Sequence, residues 1–558
     1  MATVVIERLG KQDYLPDCAS LPRDYGRSSW ESRPEVAAIR EAAFSALDRL
    51  EAETGFAARL RGRKVFVKPN LVMVYDRMGT AVPVSPESTD PRVLDALVLW
   101  LGRHASSIDI VESSGRGSPT RAAFAISGID RLARRRGCGL VALDEEPVER
   151  YYLPKARFQR EILVPRILSP VVRGEAAFVS VPKMKTNLYT GVTLGFKNAM
   201  GLLPYNLRQR HHHYAIERKL VEMLWLLKPD LVLVDGVVGG EGECPAPVDP
   251  VDSRVIAAGD HAVETDRVVT RLMGFDPAGI ELMRVADELG FGSPRPARVI
   301  GDASPVPFRP ADASLFSERV RERFPGLAIL VGMDRRRPAS PPGPGFAREL
   351  ERACWGGCAA TTRTGLAFLE AEGVSSDAEA VLVIGPGVAE ERGGERLWYD
   401  REGGAWTEER ILALPGRKLV VGSCGKALGA KADLFVEGCM PLANAPHMAL
   451  HRILGTPCRI VSPRNRRLPG VLLAMAAQRS ARRRLIKAGE RLDVRFETED
   501  DPPLADPPAC APGADWAHWP LPPTDTAERE RLLAFEDGAA AASLRGCFAQ
   551  RFTSRPRA

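Results

Sequence analysis

The chain has 558 residues, 45% of them hydrophobic, with 77 Lys+Arg against 71 Asp+Glu and a net charge of +6. That length predicts two or three domains with sizeable cores, and so small a charge excess argues against a nucleic-acid partner while suiting an anionic small molecule. No window approaches the roughly 18 apolar residues of a membrane span, the start MATVVIERLG lacks a basic-then-apolar leader, and ten cysteines are too sparse for a secreted disulfide scaffold. The expectation is a cytoplasmic protein, where grouped cysteines point to metal or redox chemistry.

Residues 1–330 alternate apolar runs with helical stretches, the pattern of an α/β domain with a largely parallel sheet. Lys64–Lys68 (KVFVK), Ser107–Val111, Ala176–Val181 and Leu231–Asp235 read as strands, and Arg92–Arg103 as an amphipathic helix. Residues 331–345 are Pro-rich and predict an extended linker. Residues 346–463 return to α/β, in a flavodoxin-like or Rossmann-like order. A helix is expected near Thr361–Ala371, strands at Ala380–Ile384, Lys418–Val421 and Asp433–Val436, and a helix at Ala445–Leu454. In residues 464–558, an Arg-rich helix surrounds Val471–Ala477, a Pro- and Asp-rich stretch from Thr498 to Thr524 predicts a disordered tether, and Thr526–Arg551 has helical composition. The Arg-flanked helix is read as packing on its own domain with solvated arginines; contact with a membrane surface is the alternative.

Polar motifs gather at the predicted strand ends, where open parallel α/β sheets bind ligands. Lys68-Pro69-Asn70 closes one strand, and Thr89-Asp90-Pro91 offers a helix N-cap. Glu112-Ser113-Ser114 and Pro182 to Asn187 (PKMKTN) follow two further strands. Next come Lys197-Asn198 with Gly201, the run His211–His213, Asp235-Gly236, and a Gly-rich loop from Gly239 to Gly242, with Asp260 and Asp266 just beyond. Lysine is scarce beside arginine in this chain, yet Lys68, Lys183, Lys185 and Lys197 all sit near strand ends. Their compact charge suits carboxylates and phosphates. Together with Asn70 and Asn198, which hydrogen-bond an oxygen ligand, they predict one anionic-ligand pocket. Asp235 and a histidine of the run, represented by His211, belong to its rim as metal ligand or general base. The competing readings are solvated element ends for any single lysine, a structural turn for Asp235, and a solvated histidine run.

In order and spacing this series resembles the domain-of-unknown-function 362 family, from roughly Val65 to Phe275. The matching features are KPN, TDP, PKxKT, KN with a glycine three residues on, a downstream histidine, DG, a Gly-rich loop with Pro, and an aspartate leading to LMGF. The resemblance implies an α/β domain and names no substrate. Glu243-Cys244-Pro245 stands where the family often has Gly-Pro, and the segment Asp260–Asp266 departs from the usual DPVAVD.

Four of the ten cysteines have a shared context. Cys354 and Cys358 lie in CWGGC before a helix, and Cys424 and Cys439 each follow a strand. Strand ends of a parallel sheet lie along one edge, so four thiols can converge there. Such a set suits tetrahedral zinc or an iron–sulfur cluster. Zinc ribbons pair ligands on CxxC knuckles, whereas the single close pair here is CxxxC. The layout resembles the cluster domain of hydrogenase small subunits and the related quinone-oxidoreductase subunit, with a close pair, a later GxC and a final cysteine near proline. That resemblance implies a 4Fe-4S cluster held by Cys354, Cys358, Cys424 and Cys439. Zinc and unligated buried thiols remain open. Cys18, Cys138, Cys458, Cys510 and Cys547 have no such context, and Cys244 reads as a loop cysteine.

The functional expectation is an iron–sulfur oxidoreductase or electron-transfer protein acting on an anionic small molecule, with a redox partner protein. The alternative is a non-redox ligand- or metal-binding protein with a structural zinc site. No catalytic triad, Walker motif or complete GxGxxG occurs, which disfavours nucleotide hydrolysis and dinucleotide binding.

Overall fold

Apolar runs such as Val65–Val67 and Leu231–Val234 leave no polar face, which suits strands covered on both sides. In the computed structural model they are the buried centre of the larger of two main sheets. The structure describes residues 1–71, 86–115, 119–204, 206, 212–243, 245–333, 344–354, 356–389, 394–441, 444–458, 468–493 and 506–548, the side chains of 344 and 539–548 excepted.

The larger sheet runs in the order Arg298–Gly301, Thr3–Arg8, Val255–Gly259, Leu231–Glu241, Ala177–Val181, Lys64–Pro69, Ser107–Glu112 and Gly139–Ala142. Neighbours pair in parallel, except that Val255–Gly259 is antiparallel to both strands beside it. Helices cover both faces. Pro34–Thr54 and Pro91–Leu101 bury Leu47, Leu50, Leu94 and Leu97 against one side, and Ala262–Leu272 buries Val268 and Val269 with the other. The strand Lys183–Asn187 lies beside Leu231–Glu241 with Lys183 opposite Asp235, then turns back onto Gly191–Thr193. The expected strand ends therefore share one edge of the sheet.

The smaller sheet follows the order Val388–Ala389, Arg396–Tyr399, Leu327–Val331, Ala380–Ile384, Arg417–Val421 and Leu434–Val436, the last four mutually parallel. Leu327–Val331, grouped in sequence with the first block, thus belongs to the second sheet, whose core also takes Leu315, Phe316 and Phe324. An apolar run such as LAILV fits either sheet, and periodicity does not say which. Of the Pro-rich segment, residues 334–343 lie outside the described residues.

The Arg-rich helix, Leu468–Lys487, packs Val471 against Ala122, Ala123 and Ile126 of the first domain. Its buried Arg482 donates to Asp493, Glu536 and the Asp144 carbonyl. The expected tether is described from residue 506 on, and there it carries a strand. Ala517–His518 pairs antiparallel with Val148–Tyr152, and the Arg150 guanidinium sits 3.9 Å from the Trp519 ring centroid. An added strand supplies the backbone partners that composition does not disclose. Among the described residues no helix is long and apolar enough to cross a membrane.

Candidate functional site

The Lys64–Pro69 strand delivers Lys68 to the sheet edge, and Ser107–Glu112 delivers Glu112 beside it. Lys68 Nζ lies 2.7 Å from Glu112, and both side chains are only 2% exposed. Lys68 also donates to the Pro69 carbonyl and to Asn198 Oδ1. Asn70 Nδ2 donates to the same Asn198 oxygen at 3.0 Å, and Asn198 Nδ2 donates back to the Lys68 carbonyl. The glycine of the KN-x-x-G motif makes room for this pair. A methyl on Gly201 would lie 2.5 Å from Lys68 Cε and 2.6 Å from Glu112 Oε1. Asp266 positions the turn before Lys197-Asn198 by accepting from the Gly195 and Phe196 N–H groups, and burial still pushes its carboxyl up to about 8.

A second buried pair lies one strand over. Lys183 Nζ is 2.9 Å from Asp235 Oδ2, with neither side chain exposed. Asp235 also accepts from the Asp90 N–H, while Asp90 caps the Pro91–Leu101 helix and pairs with buried Arg92. Burial holds the Asp235 carboxyl above its ordinary value, in part offset by Lys183. Lys185 donates to the Glu87 carbonyl. Lys183, Lys185 and Asp235 therefore brace the sheet edge and do not line the cavity in front of it.

That cavity, of about 120 Å³, is lined on the first-domain side by Lys68, Asn70, Lys197, Asn198 and His212. His211 lies outside the described residues. Asn70 Oδ1 and Thr193 Oγ1 at the wall are buried without a hydrogen-bond partner. The opposite wall comes from the second domain: Thr361, Thr364 and Met440. Tyr189 joins the two sides. Its ring packs on His212 and His213, with centroids 5.0 and 5.4 Å away, and its hydroxyl lies 3.9 Å from Met440 Sδ. Burial lifts the tyrosine to about 12 and lowers His213 to about 4. Fully buried Arg363 reinforces the junction, 3.0 Å from Glu370 and 3.7 Å from Glu243, just past the strand Leu231–Glu241 into which the expected Gly-rich loop folds as far as Glu241.

Behind Met440 stand the four cysteines. Gly357, at φ +76°, opens the helix Cys358–Ala371, and the Cys358 N–H points at Cys354 Sγ, 3.2 Å away. A methyl on Gly356 would lie 2.7 Å from Cys439 Sγ. One on Gly422 would lie 2.9 Å from Cys358 Sγ and 3.6 Å from Cys424 Sγ. Two strand ends and a helix N-terminus thus bring the expected thiols together. The Cys354 thiol is drawn down to about 6, first by its hydrogen bond with Cys358 and, against burial, by the N–H groups of Cys358, Ala359 and Gly357. The Cys358 thiol is pushed well up by Cys354, by burial, and by the charges of Cys354, Cys424 and Cys439. Cys354 and Cys358 are buried, while Cys424 and Cys439 reach the surface.

Residues 65–271 match the family described as Domain of unknown function (DUF362). The matched segment carries the lysine wall and ends before the second sheet begins. The chain is also similar to the thylakoid-associated protein sll1697 of Synechocystis sp., with 30% identity over 118 residues. That alignment covers 20% of this chain and 37% of the relative. No solved structure matches. Lys68, Asn70, Lys197 and Asn198, expected together from their places at strand ends, all line the cavity. Tyr189, Thr361, Thr364 and Met440 line it without belonging to any of those motifs. Only the position of Met440, next to Cys439, carried a signal.

Proposed function

We propose that the protein is an iron–sulfur oxidoreductase whose four-cysteine centre exchanges electrons with a small anionic molecule held between its two domains. The observation that carries this reading is the shared wall. Met440, which lines the cavity, is the residue bonded to Cys439, and Tyr189 touches it from the lysine side. The residues fit a cluster: four thiols converge, and the N–H of Cys358 at a helix N-terminus faces Cys354 Sγ. Cys354, Cys358, Cys424 and Cys439 would hold it, and when bound it supplies one-electron chemistry. Zinc would draw the four sulfurs to roughly 3.8 Å of one another. Among the described residues, the group whose donor atoms all lie within 4.8 Å consists of Glu372, His447 and His451, not of cysteines.

The chain's own groups select the ligand. Lys197 brings positive charge to the wall beside the Lys68–Glu112 pair, and the unpartnered oxygens of Asn70 and Thr193 call for an O–H or N–H donor. A small hydroxy or amino carboxylate satisfies both. The exposed side of Cys424 and Cys439 leaves an approach for a redox partner protein.

Anaerobic reconstitution with iron and sulfide tests the reading. Wild type should turn brown and hold about four irons per chain. Cys424→Ser and Cys439→Ser should lose them, and Cys510→Ser should not. Wild type that never retains iron, or full iron in Cys424→Ser, overturns the assignment.

A further inference from the structure

Away from the cavity and the cysteines, the second domain buries two imidazoles and a carboxylate against one another. His447 and His451 are four residues apart on the helix Asn444–Ile453, so they share a face. That helix packs on Cys358–Ala371 at Gly365, where an added methyl would lie 3.1 Å from both the His447 nitrogen and Leu450 Cδ1. The missing side chain lets the helices touch and brings the histidines over the end of the neighbouring helix. There Glu372 is the C-cap.

His447 Nε2 lies 3.2 Å from His451 Nε2, and His451 Nε2 lies 3.5 Å from Glu372 Oε2. One donor atom from each residue falls within 4.8 Å of the other two. Both histidines are 1% exposed and the Glu372 side chain 2%. Glu372 Oε1 is buried with no hydrogen-bond partner. Three lone-pair donors converge where water does not screen them, and such a set calls for a cation.

We propose that Glu372, His447 and His451 bind one divalent transition-metal ion, zinc being the best match. Tetrahedral zinc with bonds of about 2.0–2.1 Å has ligand-to-ligand edges of roughly 3.3 Å, and the two closest edges here bracket that value. Imidazole and carboxylate are donors that zinc accepts. His451 Nδ1 lies 2.8 Å from Thr456 Oγ1. With Nε2 on the metal, Nδ1–H donates to that hydroxyl, which fixes tautomer and ring orientation. Water takes the fourth position, as in other three-ligand sites. The ion ties the helix that starts at Cys358 to the helix that follows Cys439, so it braces both thiol-bearing segments. The site stands whatever the cysteines hold.

Full-length protein freed of metal with a chelator, then titrated with Zn²⁺ alone, tests this. His447→Gln and Glu372→Gln should each bind one zinc fewer per chain than wild type, whereas Cys424→Ser should keep that ion. Zinc should raise the melting temperature of wild type by more than that of Glu372→Gln. Thr456→Val keeps all three ligands and should weaken zinc binding roughly 10- to 100-fold. Equal zinc counts in wild type and both ligand variants overturn the proposal. If the ligand variants fail to fold, an unchanged zinc affinity in Thr456→Val does so instead.

Discussion

On the first-domain side of the cavity, unlike charges meet: Lys68 with Glu112, Lys183 with Asp235, Arg92 with Asp90. On the second-domain side, like meets like, and the charges of Cys354, Cys424 and Cys439 all push the Cys358 thiol up. The first wall neutralises itself within the fold, so its geometry does not wait for a ligand. On the reading proposed above, a bound cluster would complete the second wall, and the stability of that part of the chain would then be linked to what it binds.

Substitutions can break this contrast. The largest effect is expected for Cys439→Ala in reconstituted protein, with loss of all bound iron by metal analysis and a lower melting temperature for the second domain alone. Single cuts through the buried pairs come next. Glu112→Gln or Lys183→Met leaves an uncompensated buried charge and should cost about 3–5 kcal/mol in urea unfolding. The double change Lys183→Met, Asp235→Leu should recover only part of that loss, because it removes the unpaired charge but strands the buried Asp90 N–H that Asp235 accepts from. Gly201→Ala forces a methyl into Lys68 and Glu112 and should cost about 1–3 kcal/mol, while its iron content stays at the wild-type level. If iron is lost there too, the walls are not independent.

The smallest effect is one of pH. Burial holds His213 neutral down to about 4 in the folded protein, below its ordinary 6.5. The unfolded chain takes up a proton that the folded chain refuses. Stability is therefore intact above pH 6.5 and falls as pH drops toward 4, by up to about 2 kcal/mol at pH 5. His213→Asn should flatten that slope in denaturation series run at several pH values. A slope of the same size in the variant would show that another group carries it.

Much of the first wall was legible because its residues mark strand ends, and strand ends follow from period and turn chemistry. Lys183 and Asp235 lie at the expected edge but do not line the cavity. Lys183 continues into a strand paired with Leu231–Glu241, which sets it opposite Asp235, and no local pattern names a strand's partner. The thiols were legible from topology alone. Tyr189 and Met440 were not, since an aromatic ring and a thioether at a domain junction look like core. The His447–His451 spacing was visible in the sequence, but its carboxylate comes from a distant helix end that only packing brings near.

The strand Leu327–Val331 lies between Ala380–Ile384 and Arg396–Tyr399, both synthesised after the Pro-rich segment. As the chain leaves the ribosome, at about 5–20 residues per second, this apolar strand emerges with the first domain and waits seconds for its neighbours. During that interval its bare edges are open to wrong pairing. A fragment cut at the Pro-rich segment makes the delay permanent. The first half would carry an orphan strand prone to aggregate, and the second would lack an internal strand of its sheet. Separate expression of the two halves therefore calls for a cut ahead of Leu315.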